Sequence, residues 1–300
     1  MGWGLEIGSD TLRVCRGEMR RGRLQLLRRM EVAVPPGLIR PSLKDGNVQD
    51  APALGELFRD LVKKAGCGGW VRVVLPDPVF ILRSVATDEL PPKRHEARQF
   101  LRWQARDLLP FPAEEARLDY LPLGRGPEGR LRVVCLAARD RILAEYERAL
   151  ADANLRTAVL DARTITLAQA ASGLLGRGTA GLLAVGRGWT TLLVLQEGQP
   201  RFWRLLRDGS EGWAGAERPR LLREVSDSLT FCLESEGIGP LGGMTLTGLG
   251  AGTAEVASAL KEWLSVPVTA LDLRAALRSE GSPEDLAQWG PAIGAAIRPC

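Results

Sequence analysis

Apolar and polar positions along the chain describe one structural unit twice. Residues 4–14 read as an apolar strand, a short turn of glycine and hydroxyl residues, and a second apolar strand, and residues 181–194 repeat this order. Each copy continues through a polar, glycine-containing tip into a third strand, predicted at residues 24–34 and 201–206. A long-range repeat of this kind indicates two similar half-domains. Glycine turns that face one another across a cleft let backbone N–H groups approach a phosphate.

The stretch between the two repeats predicts a compact α+β insert within the first half. Its long amphipathic helix is expected to bury Phe100 and Trp103, and to break where two prolines steer the chain out of helical geometry. Before the insert, a helix is expected to end at Gly66. The predicted elements are helix 48–65, strands 70–75 and 80–85, helix 91–109, strands 117–123 and 130–137, and helix 139–153.

Two further helices are predicted after the second repeat, at residues 219–236 and 283–297. The last helix has an apolar stripe formed by Leu286, Trp289, Ile293 and Ile297. This stripe predicts packing on the second sheet. A weak membrane anchor is the alternative, but the stripe is short and lacks flanking basic residues before Arg298.

Composition places the chain among ordinary globular proteins. Its 300 residues suit one large or two medium domains, and a formal net charge of +4 indicates no particular partner. A local cluster of arginines would alternate in and out along the first hairpin without interleaved aromatic residues. It therefore predicts a solvated sheet edge rather than a nucleic-acid surface, and comprises Arg16, Arg20, Arg21, Arg23, Arg28 and Arg29.

The cysteines and the single histidine exclude several kinds of site. The five cysteines form no C-x-x-C pair and suggest buried free thiols in a reducing compartment. His95 lies in a charged helix start and is expected to be exposed, which argues against His-based triads and His-rich metal sites. Neither a signal peptide nor an apolar run of about 18 residues is found, so a cytoplasmic protein is expected.

Residues 98–112 carry the most specific motif, R-Q-F-L-R-W-Q-A-R-D-L-L-P-F-P, followed by L-D-Y at 118–120. It resembles the R-W-E-A-x-x-x-I-P-F-P … D-F block of the PilM family, the actin-like cytoplasmic proteins of type IV pilus machines. The cytoplasmic part of GspL, from type II secretion, shares that architecture. Further segments match in family order, so the likeness covers nearly the whole chain: V-A-V-P-P-G at 32–37, A-A-R at 137–139, T-A-V-L-D at 157–161 and M-T-L-T-G-L-G at 244–250.

The resemblance implies an α/β fold of the actin-like, ribonuclease H-like type, duplicated, with an insert in its first half. The first half would comprise residues 1–66 and 154–180, the insert residues 67–153, and the second half residues 181–300. The family's second-half insert would be reduced or missing near residues 208–218, where only a short glycine-rich piece stands.

The resemblance also implies a nucleotide site on the two glycine turns and on a third loop that faces adenosine in the family. If the site is retained, its residues would be Gly8, Ser9, Asp10, Thr11, Arg13, Gly186, Gly188, Thr190, Gly248 and Gly250.

Three positions depart from the family pattern. Glu6 replaces the first-loop aspartate, Arg13 replaces its lysine, and Ala184 stands where the second loop normally carries an aspartate. A methyl group cannot orient water, accept a proton or hold Mg²⁺. We therefore expect no ATPase activity and no resident cofactor, with ATP and magnesium kept as the alternative. Glu6 is the one residue considered as a metal contact.

These features predict a cytoplasmic scaffold of a type IV pilus or type II secretion-like assembly, located at the inner face of the inner membrane through its partners. Its partner would be the cytoplasmic peptide of a PilN-like bitopic membrane protein, with self-association also considered and nucleic acid not expected. The predicted peptide contacts are Val32, Val34, Leu38, Ile39, Phe100, Trp103 and Phe111. The alternatives are an ATP-hydrolysing actin-like or sugar-kinase relative, and a GspL-type component without its membrane segment.

Overall fold

The computed structural model describes residues 2–126, 128–235, 237–277 and 282–298. The chain divides into two compact units, one comprising Leu5–Val14 and Arg28–Ala162, the other Met1–Gly4, Cys15–Leu27 and Arg163–Cys300. The predicted helix end at Glu236 and the fifth cysteine, Cys300, lie outside the described residues.

The strands are β1 Gly2–Ile7, β2 Thr11–Arg20, β3 Arg23–Ala33, β4 Gly69–Leu75, β5 Ile81–Thr87, β6 Ala116–Arg125, β7 Leu131–Arg139, β8 Leu155–Ala162, β9 Thr179–Val185, β10 Thr190–Gln196, β11 Gln199–Leu206, β12 Leu241–Thr247 and β13 Val268–Ala270. The helices are α1 Ala51–Ala65, α2 Arg94–Gln104, α3 Asp140–Ala151, α4 Arg163–Ala170, α5 Ser172–Leu175, α6 Ser210–Ala214, α7 Arg218–Ser235, α8 Thr253–Leu264, α9 Leu273–Leu277 and α10 Pro283–Ile297.

Two of the sheets have the same strand order, which confirms the predicted duplication. The first is ordered β3-β2-β1-β4-β8 and the second β11-β10-β9-β12-β13. In the second sheet the hairpin strands pair antiparallel, whereas β12 is parallel to both β9 and β13. The outer pair of the first sheet, β4 and β8, is likewise parallel. Each sheet is thus a hairpin unit extended by parallel strands.

The turns of the two hairpin units are also equivalent. The Gly8 N–H donates to the Thr11 carbonyl at 2.9 Å, and the Gly186 N–H donates to the Trp189 carbonyl at 2.7 Å. At the far end of each hairpin two residues adopt left-handed geometry, with φ of 49° and 73° at residues 21–22 and 50° and 74° at residues 197–198. Such two-residue turns match the twist of the strands they join.

The insert contains a third sheet, ordered β5-β7-β6 and antiparallel throughout. Its core includes Leu101 and Ala105 from the region of α2, packed with Val133 and Cys135 of β7. Burial raises the pKa of the Cys135 thiol to about 12. Because β4 pairs with β8 in the first sheet, the separate sheet begins at β5. The domain boundaries given above stay a prediction.

Helix α2 is shorter than expected, and one of its side chains faces the other way. It ends at Gln104, because Ala105 leaves helical geometry and Leu109, before a proline, is extended. The expectation that the helix buries Trp103 is wrong, since 58% of Trp103 is exposed. Trp103 stands two positions from both Leu101 and Ala105, which places it on the opposite side of the helix from the buried face.

Most other local predictions are confirmed. Helix α1 ends at Gly66, whose φ of 62° is the left-handed cap geometry that glycine adopts without strain. His95 is exposed, and the four cysteines within the described residues are buried thiols that form no disulfide. None of the described helices combines the length and the apolar character that a membrane crossing requires.

Helix α10 is buried as predicted, but against different neighbours. Leu286, Trp289 and Ile293 are buried, and the helix packs on α4 and α9 instead of on the second sheet. A Cβ built on Gly294 would lie 2.0 Å from the Thr166 carbonyl oxygen, and one built on Gly4 of β1 would lie 2.0 Å from the Ala292 carbonyl oxygen. The contact is therefore between backbones, which glycine alone permits.

This packing predicts that Gly294→Ala lowers the free energy of unfolding by about 3 kcal/mol, because the new methyl group collides with the backbone of α4. Helix propensity alone would predict a gain of about 1 kcal/mol, so the sign of the change distinguishes the two effects. Urea unfolding measures it. Gly252→Ala, where no atom lies within 4 Å of an added Cβ, is the control and should change stability little. An equal loss in both variants would contradict the close packing.

Candidate functional site

The first glycine turn is built as the sequence predicts, but its charged residues pair with one another. Glu6 is 3% exposed at the end of β1, and its Oε2 lies 3.7 Å from Arg13 Nη1. The Arg13 Nε also donates to Glu31 Oε2 on β3 at 2.6 Å. Arg13 therefore bridges two carboxylates. A guanidinium suits this bridge because its donors form a planar fork, which a lysine lacks.

This bridge changes the chemistry of the first loop. The arginine that would meet phosphate is engaged by two carboxylates of its own sheet, and the carboxylate considered as a metal contact already faces a cation. Recruiting either group to a ligand requires breaking the contact between Arg13 and the buried Glu6 carboxylate, which is costly because Glu6 lies out of reach of water. Gly8, Ser9, Asp10 and Thr11 form the turn itself, in which the Asp10 carbonyl accepts from the Val34 N–H at 2.8 Å.

The second glycine turn is filled by residues of its own unit. A Cβ built on Gly186 would lie 3.0 Å from Trp189 Cε2, which shows that the indole ring lies against this glycine. The Ser210 N–H donates to the Gly186 carbonyl at 2.9 Å, and a Cβ built on Gly209 would lie 2.1 Å from the Arg187 carbonyl oxygen. The short piece after β11 thus packs directly on the turn.

Thr190, predicted to bind nucleotide, is fully buried beside this turn. Its hydroxyl donates to the Asp208 carbonyl at 2.7 Å and accepts from Trp213 Nε1 at 2.8 Å. Trp213 is also fully buried, and the Asp208 carboxylate binds Arg220 on α7. A role for Thr190 in nucleotide binding would require the hydroxyl to leave both of these partners.

The third loop closely follows the end of β12. A Cβ built on Gly248, where φ is 95°, would lie 1.9 Å from the Val185 carbonyl oxygen, so only glycine fits there. Gly250 has open space around it, and its carbonyl accepts from the Thr253 hydroxyl at 2.7 Å. The structure therefore brings Gly186, Gly188, Gly248 and Gly250 to one end of the second sheet, where β9 and β12 are neighbours.

The residues of the second turn do not fit a magnesium-bound phosphate. Ala184, at the position of the missing aspartate, is 1% exposed and offers only a methyl group. Across residues 2–126, 128–235, 237–277 and 282–298, no three acidic, histidine or cysteine side chains gather in a group that could hold a metal ion. In phosphate-binding sites Mg²⁺ is usually held through one or two carboxylates, together with water and the phosphates themselves.

The predicted peptide contacts differ widely in exposure. Val34, Leu38, Ile39 and Phe111 are buried, with exposed fractions of 2–7%. Val32 and Phe100 are half-buried, and Trp103 is exposed. Of the seven predicted contacts, only Val32, Phe100 and Trp103 have exposed or partly exposed side chains.

The loop that follows Val34 is folded around a buried asparagine, Asn47. Its Nδ2 donates to the Ser42 carbonyl at 2.8 Å and to the Asp45 carbonyl at 2.9 Å. Its Oδ1 accepts from the Ser42 N–H at 2.9 Å. A buried amide that meets its own backbone in this way fixes the loop conformation.

Helix α3 of the insert holds the same loop through two side chains. Glu145 Oε2 accepts from the Asn47 N–H at 2.7 Å and from the Val48 N–H at 3.0 Å. The Tyr146 hydroxyl donates to Asn47 Oδ1 at 3.2 Å, and burial raises the pKa of this tyrosine. Leu43 of the loop packs on the insert core, as Phe100 does. The loop is thus attached to both α3 and the core beneath α2.

The end of α2 presents Trp103 on a well-supported surface. The Arg106 guanidinium lies over the Trp103 ring, 4.5 Å from its centroid. Arg83 Nε donates to the Leu108 carbonyl at 3.0 Å, and Arg139 stacks on the Phe111 ring at 5.1 Å. The segment that follows Trp103 is therefore held in place by a hydrogen bond at Leu108 and by stacking at Phe111.

The family model of type IV pilus assembly protein PilM matches residues 4–211 of the chain. The chain belongs to the PilM family. This match includes both hairpin units and the insert, and it confirms the resemblance first seen in the motif at residues 98–120.

Solved structures similar to this PilM-family chain show the same fold. A PilM–PilN type IV pilus biogenesis complex is 24% identical, with 99% of each chain covered and a TM-score of 0.81. A Bacteroides thetaiotaomicron protein with an actin-like ATPase fold and unknown function is 12% identical, covering 93% of this chain and 96% of that one, with a TM-score of 0.53. The predicted actin-like fold is confirmed.

A third solved structure is that of the cytoplasmic domain of EpsL, a protein that is an inner membrane component of the type II secretion system of Vibrio cholerae. It is 13% identical to this chain, covering 81% of it and 79% of the EpsL domain, with a TM-score of 0.46. No curated protein matches the chain at a significant level.

Sequence reasoning missed several residues that shape this PilM-family site. Glu31, Asn47, Glu145 and Trp213 were not singled out, although each is engaged with a predicted site residue or with its supporting loop. Arg13, at the position of the family's lysine, was a usable signal, because the several donors of a guanidinium can bind two carboxylates at once. The tryptophan in the shortened segment after β11 was another.

The network at the second turn predicts that Thr190→Val lowers the free energy of unfolding by about 2–3 kcal/mol, because Trp213 Nε1 and the Asp208 carbonyl lose their buried partner. Thr190→Ser retains the hydroxyl and should cost clearly less. Thermal and urea unfolding of the two variants give the comparison. A loss in Thr190→Ser as large as that in Thr190→Val would contradict this account, because only Thr190→Val removes the hydroxyl.

Proposed function

We propose that this PilM-family chain is a scaffold of a type IV pilus or a related secretion assembly, which binds a short cytoplasmic segment of a PilN-like inner-membrane protein. The observation that carries the proposal is the exposed Trp103 at the end of α2, on a surface supported from beneath. An exposed tryptophan held by surrounding contacts is typical of a residue that anchors a partner. The similarity to a PilM–PilN complex supports the class of partner.

The loop between β3 and α1 would form the opposite wall of the groove. Asn47, Glu145 and Tyr146 hold this loop on the insert, and the segment Val32–Ile39 leads into it. An extended peptide lying along such a wall would gain affinity from backbone hydrogen bonds and from pockets for alternate side chains. Because the walls are already hydrogen-bonded, little ordering cost accompanies binding.

Binding without turnover is the second part of the proposal. Ala184 offers no carboxylate, Trp189 lies on the second turn, and Arg13 is engaged by two glutamates. Hydrolysis would lack the preorganised charges that stabilise its transition state. A chain of this kind would be held in the cytoplasm at the inner face of the membrane by its partner.

Trp103→Ala should weaken binding of a peptide from the partner's cytoplasmic segment by about 30-fold or more, because truncating a tryptophan anchor costs at least about 2 kcal/mol. Fluorescence anisotropy with a labelled peptide measures the affinity. Trp70→Ala is the matched control, since Trp70 of β4 is 62% exposed and takes no part in the proposed groove. If both variants bind the peptide as tightly as the unchanged chain, the groove is wrongly placed.

Titration calorimetry with Mg-ATP should give no saturable heat, and phosphate release should equal the protein-free blank, because the second turn is filled and lacks its carboxylate. The alternative, an actin-like ATPase or sugar-kinase relative, predicts saturable binding and release that Glu6→Gln abolishes. If ATP binds but no phosphate is released, the proposed scaffold function stands and the chain has a nucleotide site without hydrolysis.

A further inference from the structure

The hairpin formed by β2 and β3 ends in a strongly basic tip. Residues 19–23 are five consecutive exposed positions, and three of them are arginines: Arg20, Arg21 and Arg23. The turn itself is formed by Arg21 and Gly22, with φ of 49° and 73°. We refer to residues 19–23 as the arginine tip.

The second hairpin provides an internal comparison for this tip. The equivalent turn, at Glu197 and Gly198, has φ of 50° and 74°, and the residues that flank it are Gln196 and Gln199. The two turns therefore share one backbone geometry with opposite charge. Because glutamate and glutamines satisfy the turn equally well, its geometry does not require arginines.

The side chains around the arginine tip combine positive charge with apolar surface. Arg20 pairs with Glu18 at 2.5 Å, yet 68% of the Arg20 side chain stays exposed. Met19 is 41% exposed and Leu27, on β3, is 44% exposed. Guanidinium groups bind phosphate oxygens in a bidentate manner. Met19 lies within the tip and Leu27 lies four residues beyond Arg23 on β3. Exposed aliphatic side chains on a basic hairpin suit the boundary between headgroups and acyl chains.

We propose that the arginine tip contacts the anionic headgroups of a phospholipid membrane. Charge complementarity carries this proposal, together with the presence of Met19 and Leu27 on the same hairpin. A single-stranded nucleic acid would also meet the charge, but it is bound through aromatic side chains on which bases stack, and residues 19–23 contain none. This proposal adds a ligand to the solvated edge expected from sequence, and it is independent of the peptide groove.

The experiment is cosedimentation of the full chain with vesicles of equal parts phosphatidylglycerol and phosphatidylcholine, compared with vesicles of phosphatidylcholine alone. The test variant gives the first tip the residues of the second, through Arg20→Gln, Arg21→Glu and Arg23→Gln. Since each basic residue near an anionic surface contributes about fivefold to binding, the loss should be at least about 100-fold. The turn should be retained, so thermal unfolding should be unchanged.

A matched control changes three exposed arginines elsewhere in the same unit, through Arg177→Gln, Arg204→Glu and Arg223→Gln. Both triple variants lower the formal net charge from +4 to 0, because three positive charges are lost and one negative charge is gained. The control should retain binding to the anionic vesicles. A second variant, Met19→Ser with Leu27→Ser, should leave binding at low salt but reduce the part that persists at high salt.

Four results would overturn the proposal. These are no binding to anionic vesicles, equal binding to both kinds of vesicle, equal losses in the two triple variants, and saturable binding of a single-stranded oligonucleotide that the vesicles do not displace. The first would leave the arginines as protection of a sheet edge against pairing. None of these results depends on whether Trp103 binds a peptide, because the vesicles contain no protein.

Discussion

The first hairpin of each five-stranded sheet is closed by one hydrogen bond, from a glycine N–H to the carbonyl of the third residue further along the chain. The bonds of Gly8 to Thr11 and of Gly186 to Trp189 close the turn between the first two strands. A Cβ on either glycine would meet the carbonyl oxygen that closes the turn, at 2.9 Å for Gly8 and 3.1 Å for Gly186. Once this turn is closed, the register of the hairpin follows, and the parallel strands extend an edge that is already set.

The two copies retain this backbone and differ in what occupies it. In the first, a planar guanidinium links carboxylates on β1 and β3. In the second, an indole ring and the backbone of a shortened segment fill the space at the turn, and Trp213 completes the packing beneath. The two hairpin units can share one backbone and carry different side chains at the turn, because strand pairing uses main-chain groups that every sequence supplies. Function in such a fold depends on the occupants.

The sequence was sufficient for the hairpin repeat, the insert and the end of α1 at Gly66, because each depends on periodicity or on local backbone chemistry. It was insufficient wherever a partner lies far along the chain. Periodicity showed that α10 has a buried face but not that α4 is its neighbour, and it could not reveal that Asn47 would meet Tyr146. The exposure of Trp103 was within reach, since its position opposite Leu101 on the helix follows from spacing alone.

Two glycines of α10, Gly290 and Gly294, fix the position of that helix along its own axis. Gly290 lies against Leu167, and Gly294 lies against the backbone at Thr166. Sliding the helix by one turn would bring Leu286 or Arg298 to a place that has no room for a side chain. An ordinary amphipathic helix can shift along its axis, because one apolar side chain replaces another in the contact. The two glycine contacts of α10 allow only one axial position. The C-terminal half of α10 is thereby held against Gly4 of β1, so the helix also limits which side chains that strand can carry.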